Sequence, residues 1–522
     1  MKLLSSLLLT LFFTLQSHTV VSGVRQHKRA PLSDLHEILE QARNQSGIPG
    51  MSVAIIYKGE LIFAEGFGKR NERDPFTVET LSQLGSITKS FTAAAVGELV
   101  AEGKMDWDTT PLCKYLPDFE LRDPVLTSQL TMVDFLSHRT NLPDVDLAWF
   151  RNTEPRRDLI KRLKYAEVDS KLGTLVHYNN AGYAIAGEAA ANVANISYER
   201  LVEDRIIKPL GLSNTGFSPM EMKKHPNYAV PYTAATFEDA QRGLFKQLPL
   251  DPIYMSQAPA GDMYSNVLDL VRYGQAIMHY GAVDGKQVLN KSSVTELLSG
   301  YNISFRRKRI PEFAPSLVYG LGWDLDTYKG QAIYSHGGLI NGFRANLILF
   351  PDSELVVAHL ANSYIADLMV YFPYYVADEL LGLPKTLDWI NDAAMRDAQW
   401  RYDILAAQIK GDFPERIKNK PPTRSLSEFV GEYSSPLYGN VSIQLDKGGK
   451  GREKVLRFKM HSFNSEMEHY HYDSFSMVLD DYNAISAAFL TFTTGGDGKV
   501  AGFRVNFGEQ WGIQEFMRKQ AS

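Results

Sequence analysis

Gly85-Ser86-Ile87-Thr88-Lys89-Ser90-Phe91 is the stretch of sequence on which the fold prediction depends. Its pattern predicts a helix that begins at Ser86 and ends at Glu102, with Gly103 as the stop. Ser86 and Lys89 then share one face of the first turn, where the helix N-terminus adds positive potential. A serine hydroxyl needs a base to take its proton, and a partly neutral lysine can act as that base or assist another. The motif alone is a weak signal, because Ser-x-x-Lys is common by chance.

A second motif, Tyr178-Asn179-Asn180, lies further along the chain. A tyrosine flanked by cationic groups can be held as a phenolate or can relay a proton. Asn180 has a donor and an acceptor, which suits it to orient both a lysine and a substrate amide. The alternative for Tyr178 is a buried aromatic residue with a hydrogen-bonded hydroxyl.

A third motif, His336-Gly337-Gly338-Leu339, falls in a strand-like run. Two glycines on a strand let the backbone of a substrate approach closely. The backbone N–H of Leu339 can pair with that of Ser86 as an oxyanion hole, and His336 can hydrogen-bond the substrate or tune Tyr178. The alternative is a hairpin turn with an incidental histidine.

The pattern around these motifs predicts an α+β domain. Strand-like runs occupy both ends of the region, at residues 51–57, 60–67, 331–336, 343–350 and 354–361. Helical patterns lie before and between them, at residues 33–45, 182–194 and 199–207. We therefore expect the two ends to pair into one antiparallel sheet flanked by helices.

The composition and the pattern of apolar residues change after residue 375. Residues 386–410 predict a long helix, and the basic, proline-bearing run at 414–424 predicts a linker. Short strands and glycine-rich turns then alternate, as is typical of a small all-β barrel or sandwich. The predicted division is 33–375 for the α+β domain, 376–425 for helix and linker, and 426–522 for a β domain expected to be dispensable for chemistry.

Taken in order, the three motifs resemble the trio of serine β-lactamases and penicillin-binding proteins: Ser-x-x-Lys, Tyr-x-Asn and Lys/His-x-Gly. The spacing resembles the class C branch, with its esterase and D-aminopeptidase relatives. The likeness covers about residues 33–365, connecting segments at 135–143, 209–215, 259–261 and 319–323 included. It implies a β-lactamase/transpeptidase-like fold, followed by a small barrel-like β domain. Its implied catalytic residues are Ser86, Lys89 and Tyr178, and its implied substrate-orienting residues are Asn180, His336, Gly337, Gly338 and Leu339.

Two positions depart from the family pattern. Asn141 stands where a glycine is usual, and asparagine tolerates the left-handed conformation that the turn needs. His336 stands where true β-lactamases place lysine, a change that in the family goes with esterases and peptidases. No glutamate can be carried over as a separate deacylation base, so Tyr178 or Lys89 would activate water.

The resemblance implies a serine hydrolase that acts through an acyl-enzyme on a small-molecule ester, amide or short peptide. An acyltransferase would use the same acyl-enzyme, and a non-catalytic, penicillin-recognising protein would keep only the pocket. The formal charge of −5 gives no basic excess for nucleic acid. No Cys/His or carboxylate cluster has metal-ligand spacing, so neither a metal nor a cofactor is expected. The sequence does not indicate an oligomeric state.

The N-terminus predicts a secreted protein. Lys2, the apolar run from Leu3 to Leu15 and small residues up to Gly23 predict a signal peptide over residues 1–23, with a signal anchor as the alternative. Residues 24–32 are a candidate pro-segment because they contain the dibasic pair Lys28-Arg29. No later run is long and apolar enough to span a membrane. Five Asn-x-Ser sequons are glycosylation candidates: Asn44, Asn195, Asn290, Asn302 and Asn440.

Some other residues are predicted to be structural. Cys113 is the single cysteine, so no intrachain disulfide forms, and we expect it to be a buried small residue. His138 lies in a Ser-His-Arg-Thr turn and is expected to support that turn. Trp149 and Phe150 are expected to pack in the core rather than line a pocket.

Overall fold

The computed structural model describes residues 32–168, 176–250, 255–306, 311–340, 342–411, 413–446, 454–479, 487–508 and 511–520. The predicted signal peptide, the dibasic pair and Asn341 lie outside the described residues. Within the part of the chain that is described, no helix has both the length and the apolar character needed to cross a bilayer.

The predicted antiparallel sheet is confirmed, and it has eight strands. In spatial order they are Asn302–Arg306, Ser316–Tyr319, Asp324–Tyr328, Gln331–Ile340, Phe343–Phe350, Leu355–Ala361, Gly50–Tyr57 and Glu60–Gly68. The two ends of the region meet where Gly50–Tyr57 pairs antiparallel with Leu355–Ala361, with Met51 opposite Ala361. Leu355–Ala361 is buried at every position, because helices cover both faces of the sheet.

The helices divide between the two faces of the sheet. Leu35–Gln45 and Leu368–Leu381 pack on one face in a cluster with Val53 and Val357. Thr88–Ala101 and Asn180–Ala194 belong to the larger cluster on the other face. Thr88–Ala101 is buried nearly all round, which is the pattern of a helix inside a core rather than on its surface.

Most of the remaining elements are short; Val267–Met278 and Met395–Lys410 are the exceptions. The other α-helices are Leu112–Tyr115, Pro124–Gln129, Met132–Leu136, Asp146–Trp149, Arg156–Arg162, Tyr198–Val202, Lys208–Leu210, Pro219–Met222, Phe237–Gln241, Ala258–Gly261, Val267–Met278, Lys291–Leu297, Met395–Lys410 and Leu426–Phe429. Single 3₁₀ turns lie at Gly85–Ile87, Leu163–Tyr165, Met255–Gln257 and Pro351–Ser353, and π turns at Glu203–Ile207 and Trp389–Ala394. Small sheets are formed by Ser82–Gln83, Met263–Ser265 and Gly216–Phe217, by Tyr232–Thr233 and Lys246–Gln247, and by Ala282–Val283 and Lys286–Gln287.

The predicted small β domain is confirmed as a closed barrel of eight consecutive antiparallel strands. They are Gly431–Ser435, Gly439–Asp446, Val455–Met460, Phe463–His471, Ser474–Val478, Ala487–Thr494, Val500–Asn506 and Ile513–Arg518. Phe463–His471 begins with strictly alternating buried and exposed residues, as a strand with one face inward must. Aromatic side chains, among them Phe458, Phe492 and Phe503, fill the interior.

The predicted linker is packed rather than free. The Arg416 guanidinium donates to the Tyr470 carbonyl at 2.8 Å, and the Thr423 backbone N–H donates to the Asp473 carboxylate at 2.8 Å. The basic composition of this run therefore serves contacts along the barrel, which composition alone did not indicate.

Candidate active site

The nucleophile turn begins differently from the sequence prediction. The α-helix starts at Thr88, and Ser86 lies in the preceding 3₁₀ turn, Gly85–Ile87. Gly85 has φ +53°, and a Cβ there would lie 2.8 Å from the backbone nitrogen of Leu339. This close tertiary approach requires glycine in a left-handed conformation, so the helix cannot extend through residue 85. The prediction of a helix start at Ser86 was wrong by two residues.

Lys89 is fully buried and makes three hydrogen bonds. Its Nζ lies 3.1 Å from Ser86 Oγ, 2.7 Å from Asn180 Oδ1 and 2.8 Å from the Ala260 carbonyl oxygen. Burial lowers the pKa of Lys89 from 10.5 to about 7, against the opposing charge of Asp146. A substantial neutral fraction at physiological pH has a lone pair with which to accept the Ser86 proton.

Tyr178 lines the mouth of the site. Its hydroxyl is hydrogen-bonded to the Ser86 side chain, and the Lys89 Nζ lies 4.8 Å from its ring centroid. The protein around the hydroxyl raises the pKa of Tyr178, although 44% of the residue is exposed. A protonated phenol at neutral pH favours the proton-relay role over the phenolate and leaves Lys89 as the base.

His336 lies beside Tyr319 rather than free in the pocket. The ring donates from Nδ1 to the Gly337 carbonyl at 2.7 Å, so Nε2 accepts from the Tyr319 hydroxyl at 3.0 Å. Burial lowers the pKa of His336 to about 3, so the ring is neutral at physiological pH. Both ring nitrogens have protein partners, so His336 supplies no positive charge to a substrate carboxylate.

The two glycines of this strand have different surroundings. A Cβ on Gly338 would lie 1.8 Å from the Leu84 carbonyl oxygen and 3.2 Å from the Ser86 nitrogen, whereas a Cβ on Gly337 would find its nearest neighbour at 3.8 Å. Gly338 therefore allows the strand backbone to run directly against the nucleophile turn. This brings the backbone of Leu339 beside Gly85 and Ser86, as an oxyanion hole requires.

Asp146 is a site residue that sequence reasoning missed. Its carboxylate accepts from Asn180 Nδ2 at 2.6 Å and from Gln257 Nε2 at 2.9 Å, so Asn180 bridges Lys89 and Asp146. The pKa of Asp146 is raised, first by burial and then by the nearby Asp144. The acidic pair after Pro143 was visible in the sequence, but its partners lie 34 and 111 positions away and no motif links them.

His138 supports the tyrosine, as expected of a structural residue. Its ring centroid lies 4.3 Å from that of Tyr178, and its Nδ1 accepts the Asn179 backbone N–H at 3.1 Å. Burial, with a further effect of the Lys89 charge, lowers the pKa of His138 well below its ordinary value. A neutral imidazole thus packs against the phenol and fixes its position.

The predicted glycosylation asparagines differ in how exposed they are. Four sequon asparagines are exposed, but Asn302 is buried at 8% exposure, with its amide directed at the carbonyls of Ser137 and His138. Asn302 is therefore a poor site for glycosylation in the folded chain.

Cys113 is half-buried against the core, and Trp149 is buried in it. Among the described residues, no group of three or more His, Cys, Asp or Glu side chains could hold a metal ion.

Comparison with known proteins places the chain in the β-lactamase family. The family model "Beta-lactamase" matches residues 35–371, and a domain of unknown function, DUF3471, matches residues 415–520.

Individual relatives are similar along most of the chain. The "Unguisins hydrolase ungD'" of Aspergillus campestris is 26% identical over 79% of this chain and 78% of its own. Among solved structures, the octameric penicillin-binding protein homologue from Pyrococcus abyssi has a TM-score of 0.58 at 21% identity and covers 94% of this chain and 100% of its own. A D-stereospecific amidohydrolase from Streptomyces sp. has a TM-score of 0.52 at 23% identity, over 66% of this chain and 99% of its own. At these identities the two structures establish the fold alone.

Proposed function

We propose that this protein is a secreted serine hydrolase that cleaves esters or amides, short peptides included, through an acyl-enzyme on Ser86. The observation that carries the proposal is Lys89: a fully buried amine, 3.1 Å from the Ser86 hydroxyl, whose pKa is lowered to about 7. Burying a lysine is costly unless it is hydrogen-bonded, and here it is held against a serine in a family of hydrolases.

The proposed reaction uses this geometry. Neutral Lys89 takes the Ser86 proton, and Ser86 Oγ bonds to the substrate carbonyl carbon while the N–H groups of Ser86 and Leu339 stabilise the oxyanion. The Tyr178 hydroxyl gives its proton to the leaving alcohol or amine, and the Lys89 ammonium restores it. The carbon–oxygen or carbon–nitrogen bond then breaks. Water then enters, loses a proton to Lys89 and bonds to the acyl carbon. The bond from that carbon to Ser86 Oγ breaks, the Lys89 ammonium returns the proton to Ser86 Oγ, and the acid leaves.

The electrostatics favour substrates without a carboxylate at the acyl centre. His336 is neutral and already hydrogen-bonded to Tyr319, so the position where β-lactamases carry a lysine is uncharged. A charge-assisted hydrogen bond is roughly twice as strong as a neutral one, and a β-lactam would lose it here. A relative whose name calls it a hydrolase supports a hydrolytic reaction, and we include amides, among them amides of D-configured residues, as well as esters in the proposal.

The test uses the secreted full-length protein and a fluorophosphonate probe. Wild type should be labelled, and Ser86→Ala should not be; turnover of the best substrate should fall by about 10⁴ to 10⁶ in that variant. The substrates to compare are p-nitrophenyl esters, D- and L-aminoacyl anilides and a chromogenic cephalosporin. Each is measured with and without an added alcohol or amine that can accept the acyl group in place of water. Equal labelling of wild type and Ser86→Ala would contradict the proposal, and product formed only with the added acceptor would identify an acyltransferase.

A further inference from the structure

The barrel contacts the catalytic domain at residues 144–152, which we call the bracing segment. The His461 ring donates from Nδ1 to the Phe150 carbonyl at 3.2 Å, so its Nε2 accepts from the Asn152 amide, also at 3.2 Å. Phe463 stacks on Phe150 with 5.9 Å between ring centroids. The two domains thus meet through a defined set of polar and aromatic contacts.

One barrel residue, Trp511, begins a chain of hydrogen bonds that ends at the catalytic lysine. The Trp511 indole N–H donates to Asp144 Oδ1 at 3.2 Å, and the same oxygen accepts the Asp146 backbone N–H at 2.9 Å. The Asp146 carboxylate accepts from Asn180 at 2.6 Å, and Asn180 accepts from Lys89 at 2.7 Å. Four consecutive hydrogen bonds therefore join the barrel to the general base.

The bracing segment needs such support. Asp146 begins a helical turn of only four residues, Asp146–Trp149, and a single turn does not hold its own conformation. Where Asp146 lies therefore depends on the contacts around it, and the contact made by Trp511 comes from a separate domain.

We propose that Trp511 is a positioning residue: through Asp144 and Asp146, the barrel holds Asn180 against Lys89 in the geometry that deprotonates Ser86. This inference rests on the proposed function, and it replaces the expectation that the β domain is dispensable for chemistry. A contact that only joins the domains would affect stability and leave the properties of Lys89 unchanged.

The pH dependence of Ser86 acylation separates these two roles. The titratable groups that face Lys89 are Asp146, His138, His336, Tyr178 and Tyr183. Of these, Asp146 is the group whose negative charge raises the pKa of Lys89. If Asp146 moves away from Asn180, that pKa falls, and the acid limb of the rate profile moves to lower pH.

The experiment measures the rate of fluorophosphonate labelling from pH 5 to 9 in the full-length protein. Trp511→Phe keeps an aromatic ring but removes the N–H donor; it should slow labelling at pH 7.5 by about three- to tenfold, the range of a typical intramolecular hydrogen bond. Its acid limb should move to lower pH. The matched control is Trp400→Phe, the same change at a residue 56% exposed on Met395–Lys410, which should leave both rate and limb unchanged.

A double-mutant cycle with Asp146→Asn tests the connection itself. Asp146→Asn should move the acid limb further in the same direction, and adding Trp511→Phe to it should have no additional effect. Additive effects, or a Trp511→Phe variant with an unchanged limb, would overturn the inference even if its melting temperature fell. Absence of Ser86 labelling in wild type would instead contradict the proposed function, so the two failures are distinguishable.

Discussion

The molecule contains two sheets of eight strands, an open one between helices and one closed into a barrel. The barrel interior is filled by aromatic side chains such as Phe492 and Phe503, whose rings lie 5.8 Å apart. The open sheet instead carries Gly337 and Gly338 where it meets the nucleophile turn, and a lysine and a histidine are buried beside it. The catalytic residues thus lie where glycines replace packed side chains in the open sheet, whereas the barrel interior is tightly packed. Substitutions beside the glycines should therefore change the catalytic rate, and substitutions in the barrel interior should change the stability of the fold.

The largest change in catalytic rate should come from removing the Tyr178 hydroxyl, the proposed proton relay. Tyr178→Phe removes one hydroxyl and keeps the ring that packs on His138, so the fold should be retained. Because a general acid–base group contributes about 10² to 10⁴ in rate, kcat should fall by that factor. Turnover of the best ester and the melting temperature are the two measurements, and near-normal turnover would show that Lys89 works without Tyr178.

The two glycines of the site strand offer a matched pair. Gly338→Ala would place a Cβ 1.8 Å from the Leu84 carbonyl, forcing the strand away from the Ser86 turn, whereas Gly337→Ala meets nothing nearer than 3.8 Å. Gly338→Ala should therefore lose about 10² to 10³ in kcat, the effect of an oxyanion donor moved out of place. Gly337→Ala should retain most activity; equal losses in both variants would show that the close approach is not what matters.

The barrel interior, unlike Trp511 at the domain contact, should respond in stability rather than in rate. Phe503 is 1% exposed in the barrel interior, and Phe503→Ala should lower the free energy of unfolding by about 3 to 5 kcal/mol, measured by urea denaturation. At temperatures where the variant is folded, labelling of Ser86 should change little. Ile513→Ala, on an exposed position of the same barrel, is the control and should change stability by less than about 0.5 kcal/mol.

The smallest effect concerns substrate choice. His336→Lys places a flexible amine where the neutral ring now accepts from Tyr319. If the amine reaches the cleft, the ratio of cephalosporin to ester turnover should rise, by about tenfold for a gain near 1.4 kcal/mol. A wild-type enzyme that already prefers the cephalosporin would contradict the argument from His336.

The sequence was sufficient for the three motifs, the antiparallel sheet and the barrel, because each is encoded by local periodicity or by short ordered patterns. It was not sufficient for the start of the nucleophile α-helix, because Gly85–Ile87, packed against Leu339, forms a 3₁₀ turn instead of the first α-helical turn. Nor could it show that residues 414–424 pack along the barrel, since basic, proline-bearing composition is shared by free and bound segments.

Asp146 and Trp511 were missed for a related reason. Their contacts join segments that are far apart in the chain: Asp144 and Trp511 are separated by 367 positions. Such pairs follow from how the two domains dock, and neither periodicity nor motif spacing contains that information.

The central claim is that neutral Lys89 takes the proton of Ser86, and the pH dependence of kcat/KM for a neutral ester tests it most directly. Because protonated Lys89 cannot accept a proton and burial lowers its pKa to about 7, the rate should be constant above that value. Below it, the rate should fall by about tenfold per pH unit. Lys89→Met should abolish the reaction across the whole range. A rate that is flat from pH 5 to 9, or one that still rises towards pH 10, would contradict the account.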